Sequence, residues 1–288
     1  MKVITHSGHF QPDDVFAIAA LSLMLGDFEL VRSRDPEVIK TGDYVVDVGR
    51  EYDPEKNRFD HHQAGGAGTR KNGVSYSSIG LIWKHYGIQL SGSEEVASRI
   101  DEKLIQPLDL NDNGQTFFTA DAVYPYLVDD ALYAFQPTWK EGDVFDERFG
   151  EAVEIAKKIL AREIKRTREE LEARELVEAL YQAMPDKKLL VMDQNYPAGD
   201  LFETHPEILF TVKPDATNAT WKVTAVRENK HDFKNRKDLP AAWAGKTDQD
   251  LQELTGVADA TFCHNARFVA AAKSKEGAIT LAKLALES

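Results

Sequence analysis

The stretch Arg58-Phe59-Asp60-His61-His62-Gln63 sets an acid beside two imidazoles in a chain with only eight histidines. It offers one hard oxygen and two borderline nitrogen donors, a mixed set that suits Mn, Zn or Fe better than an all-oxygen Mg cage. Read alone, the triplet is equally a polar cluster in a surface loop. Its surroundings decide the matter and the fold class together, because short apolar runs in this chain end repeatedly in His or Asp.

Upstream, Lys2 to Thr5 reads as a short buried strand and Val15 to Leu25 as a helix whose first turn carries Asp13 and Asp14. The turn between them, from His6-Ser7-Gly8-His9 to Asp13, is where ligands collect in an α/β fold, at the carboxyl end of a strand. His6, His9 and Asp13 are therefore candidate metal ligands, although the acids also suit helix N-capping. Phe28 to Arg32 is a second strand, and Tyr44 to Val48 a third that ends in Asp47-Val48-Gly49. An acid at the end of an apolar strand is expensive to bury without a partner. Asp47 is thus a better candidate than most of the 48 acidic residues. The turn at Asp53-Pro54 then delivers the chain to Asp60.

Downstream, Gly65, Gly66 and Gly68 with Thr69, Arg70 and Lys71 form either a loop offering amides and cations to phosphate or an unstructured one. Ser77-Ser78 cap a helix that runs to about His85 and stops at Gly87. A further helix, Glu94 to Ile105, leads into Pro107-Leu108-Asp109-Leu110-Asn111-Asp112. Asp109 and Asp112 share a face if that turn stays helical and are Asx-turn residues otherwise. Asp121 to Tyr133 is helical by pattern. Phe149 to about Ala183 is a long helix, dense in both signs of charge, that connects two domains.

Pro185-Asp186 opens a second α/β unit with strands at Lys188 to Met192, Ile208 to Val212 and Trp221 to Val226. From Lys213 to Lys246 there are eight basic against four acidic residues. Arg227, Lys230, Lys234, Arg236 and Lys237 form either a local cationic face or a plain solvated surface. Ala260 to Gly277 reads as strand, sharp turn, small-residue strand and a helix capped at Ser274, gathering His264, Arg267, Lys273 and Lys275 as substrate-binding candidates. The expected architecture is α/β, with a parallel-sheet domain over 1–140, a helical connector over 141–184 and a smaller α/β domain over 185–288.

Composition narrows the function. A net charge of −13 argues against general electrostatic gripping of long nucleic acid, so phosphate has to be met locally, by metal or a confined basic patch. The single cysteine, Cys263, excludes an intramolecular disulfide framework and a Cys-rich zinc site. No apolar leader follows Lys2, and the run Val15 to Leu25 is too short to span a bilayer. The expectation is a soluble, cytoplasmic protein with no membrane contact.

In this order, the motifs resemble those of the DHH phosphoesterase superfamily: an early His/Asp cluster, a strand-end Asp, Asp-His-His and a later Asp. The whole chain more closely resembles the MYG-type exonuclease family, formerly an uncharacterised-protein family. The residues that carry this are Thr5-His6-Ser7-Gly8, Phe10, Asp13-Asp14, Asp47-Val48-Gly49, Tyr52-Asp53-Pro54, Phe59-Asp60-His61-His62-Gln63, Asp109 and Asp112-Asn113-Gly114. Near the C-terminus, Leu239-Pro240, Trp243, Gly245, Phe262, His264, Phe268 and Lys275-Glu276-Gly277-Ala278 add to it. One departure is Gln11, where the family pattern often carries His while His9 lies two residues earlier. His6 and His9 both stay open as ligands, as do Asp109 and Asp112.

The resemblance implies a DHH-like catalytic domain, a helical connector and a smaller domain that closes on substrate. It implies a metal-dependent 3′–5′ exonuclease acting on RNA or short oligonucleotides, with Mn2+ expected and Mg2+ as the alternative. Two ions bridged by Asp47 would activate a water for in-line displacement. The ligands would be Asp13, His6 or His9, Asp60, His61 and Asp109 or Asp112. His62 would face the phosphate or the leaving oxygen, with Arg267, Lys273 and Lys275 on substrate. Two other readings stand beside it: a small-molecule phosphoesterase or pyrophosphatase, and a non-catalytic nucleotide-binding protein.

Overall fold

The computed structural model describes residues 1–115, 119, 123–229 and 232–288. The chain divides into two compact units, Met1–Arg168 and Glu169–Ser288. The expected helix start at Asp121 and the cation Lys230 lie outside the described residues.

In the first unit the strands are β1 (Lys2–Thr5), β2 (Glu29–Arg32), β3 (Tyr44–Val46), β4 (Tyr52–Asp53) and β5 (Arg58–Phe59). They form one sheet in the order β2-β1-β3-β5-β4. The pairs β1/β2, β1/β3 and β3/β5 are parallel, and β4 returns antiparallel on β5. The sheet is therefore mixed rather than wholly parallel, because the short Asp53-Pro54 turn reverses the chain with no helical crossover. The helices are α1 (Pro12–Leu25), α2 (Pro36–Ile39), α3 (Ser78–Ser91), α4 (Glu94–Ile100), α5 (Gln106–Asp112) and α6 (Val128–Tyr133), followed by α7 (Phe145–Ala183).

The core of this unit forms around α1, which is buried from Pro12 to Leu21 and packs on α3. A helix apolar on every side belongs inside a fold, and Val15-Phe16-Ala17-Ile18-Ala19-Ala20-Leu21 is such a run. Gly87 does not stop α3, which runs to Ser91 and ends at Gly92 in the left-handed conformation. A Cβ at Gly87 would meet the Trp83 ring at 3.0 Å, so that glycine serves packing inside the helix. Pro107 does not break the next helix either. A π-helical turn, Asp101–Ile105, joins α4 to α5, and the extra residue per turn accommodates the proline ring.

The helix α7 passes from the first unit into the second. Phe149, Val153, Ala156, Leu160 and Ile164 are its buried stripe in the first unit, at the three- and four-residue spacing of one helical face. The second unit holds β6 (Leu189–Val191), β7 (Phe210–Asp215), β8 (Thr220–Ala225), β9 (Ala260–Cys263) and β10 (Val269–Ala272), with α8 (Gly199–Thr204), α9 (Asp248–Thr255) and α10 (Lys275–Glu287). Its sheet runs β6-β7-β8-β10-β9, parallel only at β6/β7. Among the described residues no helix is long and apolar enough to cross a membrane.

Candidate metal centre

Because β1, β3 and β5 are adjacent and parallel, the residues just past their carboxyl ends meet on one side of the sheet. His6 comes directly after β1, Asp47 after β3, and Asp60-His61-His62 after β5. The first turn of α1 adds Asp13 and Asp14, and the last turn of α5 adds Asp112. Ligand atoms of His6, Asp14 and Asp47 lie within 4.8 Å of one another, as do those of Asp47, His61 and His62, and those of Asp13, His61 and Asp112. Asp47 belongs to two of these groups, and His61 joins the second to the third. Nε2 of His6 stands 3.1 Å from Asp14 Oδ2 and 3.2 Å from Asp47 Oδ2. Nε2 of His61 stands 3.2 Å from Asp112 Oδ2 and 3.4 Å from Asp47 Oδ1.

The first turn of α3 positions the acids. Ser78 Oγ donates to Asp47 Oδ1 at 2.8 Å, and the Ser78 amide donates to Asp13 Oδ2 at 3.2 Å. Asp47 also adopts a left-handed φ of 54°, a strained setting for a non-glycine residue of the kind found at functional sites. Asp14 Oδ1 accepts the Gln11 amide at 2.9 Å, so this residue both caps α1 and turns its second oxygen to His6. Gln11 Nε2 donates to Asp112 Oδ1 at 3.0 Å.

Crowding four carboxylates out of water costs free energy that their neighbours offset unevenly. Burial raises Asp13 well above its usual range, with Asp47 and Asp112 adding repulsion. Burial also raises Asp14, against the pull of His6, and lifts Asp112 to about 6. Burial opposes ionisation of Asp47 too, yet the imidazoles of His6 and His61 outweigh it and hold this carboxyl low. Burial would depress His6, but Asp14 and Asp47 raise it to about 10. The centre thus holds protons that a divalent cation could replace.

Buried Asp13 Oδ1 has no hydrogen-bond partner, and buried Asp14 Oδ2, Asp47 Oδ2, His61 Nε2 and Asp112 Oδ2 meet only the imidazoles and carboxylates of this same centre, without well-formed hydrogen bonds. Unsatisfied buried polar atoms are rare enough to need a reason. Five converging on one place, as hard oxygens with imidazole nitrogen, fit divalent cations.

Three sequence candidates fall outside these groups. His9 is exposed; its Nδ1 lies 3.2 Å from Gln136 Oε1 and its ring packs edge-on against Phe145. Asp109 Oδ1 accepts from the Ser77 amide, Ser77 Oγ and the Gly80 amide, while its Oδ2 pairs with Arg70 at 2.6 Å. It closes the amino end of α3. A Cβ at Gly80 would lie 2.2 Å from Asp109 Oδ2, so that contact requires glycine. Asp60 spends Oδ1 on the His62 amide and His62 Nδ1, at 3.0 and 2.8 Å, and Oδ2 on the Arg50 amide at 2.6 Å. It orients His62, whose side chain is 49% exposed.

The loop cations Arg70 and Lys71 also divide, since Arg70 is engaged by Asp101 and Asp109. In the second unit the four substrate candidates do not form one patch. His264 and Arg267 lie in the turn before β10, and Lys273 and Lys275 come after its other end, roughly 13 Å away for a four-residue strand. Arg267 pairs with Asp238 at 2.7 Å, and Lys275 lies over the Trp221 ring. Arg236 donates to the carbonyls of Phe202, His205 and Ile208, and Lys234 pairs with Glu228. Much of the expected cationic face is thereby neutralised or tied to the backbone.

A cavity of ≈ 540 Å³ opens beside the acids, lined by His6, Asp47, Asp60 and His62 and also by Arg34, Lys40 and Arg50. Nothing in the local sequence pattern sets these three cations apart from other surface charges, and Asp14, as well suited to capping α1 as to a functional role, does not stand out there as a ligand.

The family model described as "Uncharacterised protein family (UPF0160)" and labelled MYG1_exonuc matches residues 2–286. The "MYG1 protein" of Dictyostelium discoideum is 32% identical, over 98% of this chain and 95% of that protein. The "MYG1 exonuclease" of Homo sapiens is 29% identical, over 99% of this chain and 85% of that protein. A solved structure, the pGpG-specific phosphodiesterase PggH from Vibrio cholerae, aligns over 99% of this chain and 98% of its own at 13% identity and a TM-score of 0.33, a likeness too slight to bear on fold or site.

Proposed function

We propose, proceeding from the chain's membership of the MYG1_exonuc family, that it is a metal-dependent phosphodiesterase releasing nucleotides from the 3′ end of RNA or short oligonucleotides. The observation that carries this is the convergence around Asp47 of buried carboxylate oxygens and imidazole nitrogens whose close partners are one another. His6, Asp14 and Asp47 would hold one divalent ion, and Asp13, His61 and Asp112 with Asp47 a second, with Mn2+ favoured over Mg2+ by the mixed donors. When bound, such ions supply a nucleophilic water and neutralise charge on the phosphoryl oxygens.

The chain's own residues do the remainder. Ser78 fixes the rotamer of Asp47, and Gln11 fixes Asp112. His62, its Nδ1 held by Asp60, is kept protonated to a higher pH first by that carboxylate. From the cavity wall it contacts the phosphate or gives its proton to the leaving oxygen.

A second reading, a phosphoesterase acting on small phosphorylated substrates, is favoured by the engagement of Arg236 and Arg267 within the fold. That leaves less of a cationic track for a long strand. End-labelled RNA oligomers of graded length, incubated with Mn2+, distinguish the two. Stepwise loss of mononucleotides from the 3′ end supports the exonuclease, and cleavage confined to dinucleotides or pyrophosphate overturns it.

A further inference from the structure

The cavity beside the candidate metal centre carries two kinds of chemistry. His6, Asp47, Asp60 and His62 supply acids and imidazoles, whereas Arg34, Lys40 and Arg50 supply cations. In a chain of net charge −13, arginines easily find carboxylates: Arg32 pairs with Asp146, Arg70 with Asp101 and Asp109, and Arg148 with Glu141 and Glu151. Among the described residues no carboxylate pairs with Arg34 or Arg50. Lys40, by contrast, is paired with Glu37 at 2.6 Å, and the one further acid lining the cavity, Glu51, stands 3.6 Å from Lys56.

Both arginines are anchored by means that leave charge to spare. Arg34 Nε donates to the Ser7 carbonyl at 3.3 Å, and its Nη2 stands 3.0 Å from Nδ1 of His6. Neither partner is a carboxylate, so this guanidinium keeps its positive charge. Arg50 is fixed through its backbone: the amide donates to Asp60 Oδ2 at 2.6 Å and φ is 55°, an unusual value outside glycine. The residue as a whole is exposed.

We propose that Arg34 and Arg50 form a subsite for a terminal phosphomonoester of the substrate, so that the enzyme selects short oligonucleotides phosphorylated at the end lodged in this cavity. This rests on the phosphodiesterase reading, in which the acid and imidazole side takes the scissile phosphate. Two guanidiniums with no carboxylate partner suit a phosphate dianion better than a lysine already paired with Glu37 does. A volume of ≈ 540 Å³ is in the range of pockets that enclose a nucleotide-sized ligand.

The test uses Mn2+-loaded full-length protein and dinucleotides whose linkage is a non-hydrolysable methylene phosphonate, bearing a 5′-phosphate, a 3′-phosphate or neither. Binding is read by calorimetric titration. The phosphate at one of the two ends is expected to tighten binding about tenfold to a hundredfold. The Arg34→Ala/Arg50→Ala protein is expected to bind all three alike, and Arg34→Lys/Arg50→Lys to recover part of the preference. Arg50→Ala alone, which removes no contact to a candidate ligand, is expected to lose part of it and keeps the test decisive if the double variant melts early. Equal binding of the three forms by the wild-type chain overturns the subsite, as does a preference that survives both arginine losses. Hydrolysis of native-linked dinucleotides is scored separately. Preference without hydrolysis sinks the phosphodiesterase reading alone, and hydrolysis without preference sinks the subsite alone.

Discussion

Oγ of Ser78 donates a 2.8 Å hydrogen bond to Oδ1 of Asp47, so the first turn of α3 fixes the one carboxylate that belongs to two of the candidate ligand groups. Supports of this kind set a ligand's orientation and basicity. Ser78→Ala is expected to lower metal affinity or activity about tenfold to a hundredfold with little change in melting temperature. Asp47→Asn should remove activity altogether while the protein stays folded. Equal activity of wild type and Ser78→Ala would count against Asp47 as the shared ligand.

Asp109 and Asp112, one turn apart on α5, are expected to fail differently. Asp109 caps α3 and shares Arg70 with Asp101, so Asp109→Ala leaves the buried Ser77 and Gly80 amides without an acceptor and should cost about 1–3 kcal/mol of stability. Asp112→Asn should keep the fold and weaken metal binding. Denaturant unfolding and metal titration of both variants check this, and a reversal of the two phenotypes would reject the assignment.

The protonated centre gives metal-free stability a defined pH dependence. Asp112 titrates near 6 in the folded chain against 3.8 as an unperturbed side chain, and His6 near 10 against 6.5. In both windows the folded state binds more protons than the unfolded one, so stability falls as pH rises from about 4 to about 10. A divalent ion held by the same atoms would compete with those protons. Chelator-stripped protein is therefore expected to melt at a lower temperature at pH 8.5 than at pH 5.5, and the rise in melting temperature on adding Mn2+ should be larger at pH 8.5. A stripped protein that gains stability with pH would contradict the geometry.

His62 is raised above 6.5 chiefly by the Asp60 hydrogen bond. If its protonated form acts, the rate should decline on the alkaline side as that proton is lost. Asp60→Asn should move the decline to lower pH, and His62→Gln should abolish it along with most of the rate. A pH–rate profile of kcat/KM for the three proteins reads this directly.

Much of the centre was legible because acids and imidazoles after short apolar strands have few cheap alternatives. That rule makes His6, Asp47 and His61 candidates, with His9 open beside His6, and the fold brings these three into adjoining groups. What could not be read was the division of labour among neighbours. Asp109 and Asp112 look alike in sequence, and only the persistence of α5 through Pro107 turns one to Ser77 and Arg70 and the other to His61. His9 is separated from His6 by the turn at Gly8, whose φ of 82° sends the chain outward to Gln136. Asp60 has the sequence setting of a ligand, yet the amides of Arg50 and His62 use both its oxygens. The antiparallel strand β4 was hidden because two residues carry too little periodicity to register. At the other end of the chain, β9, β10 and α10 with its Ser274 cap follow the pattern of small residues and the capping serine closely, yet the cations around them are split by the length of β10.

The most direct test of the metal centre is a calorimetric titration of Mn2+ into chelator-stripped protein at pH 7.5, for the wild-type chain and Asp47→Asn. Saturable binding of two ions by the wild type, with loss of at least one in the variant, is the predicted result. Absence of saturable binding, or an unchanged isotherm in Asp47→Asn, would contradict it.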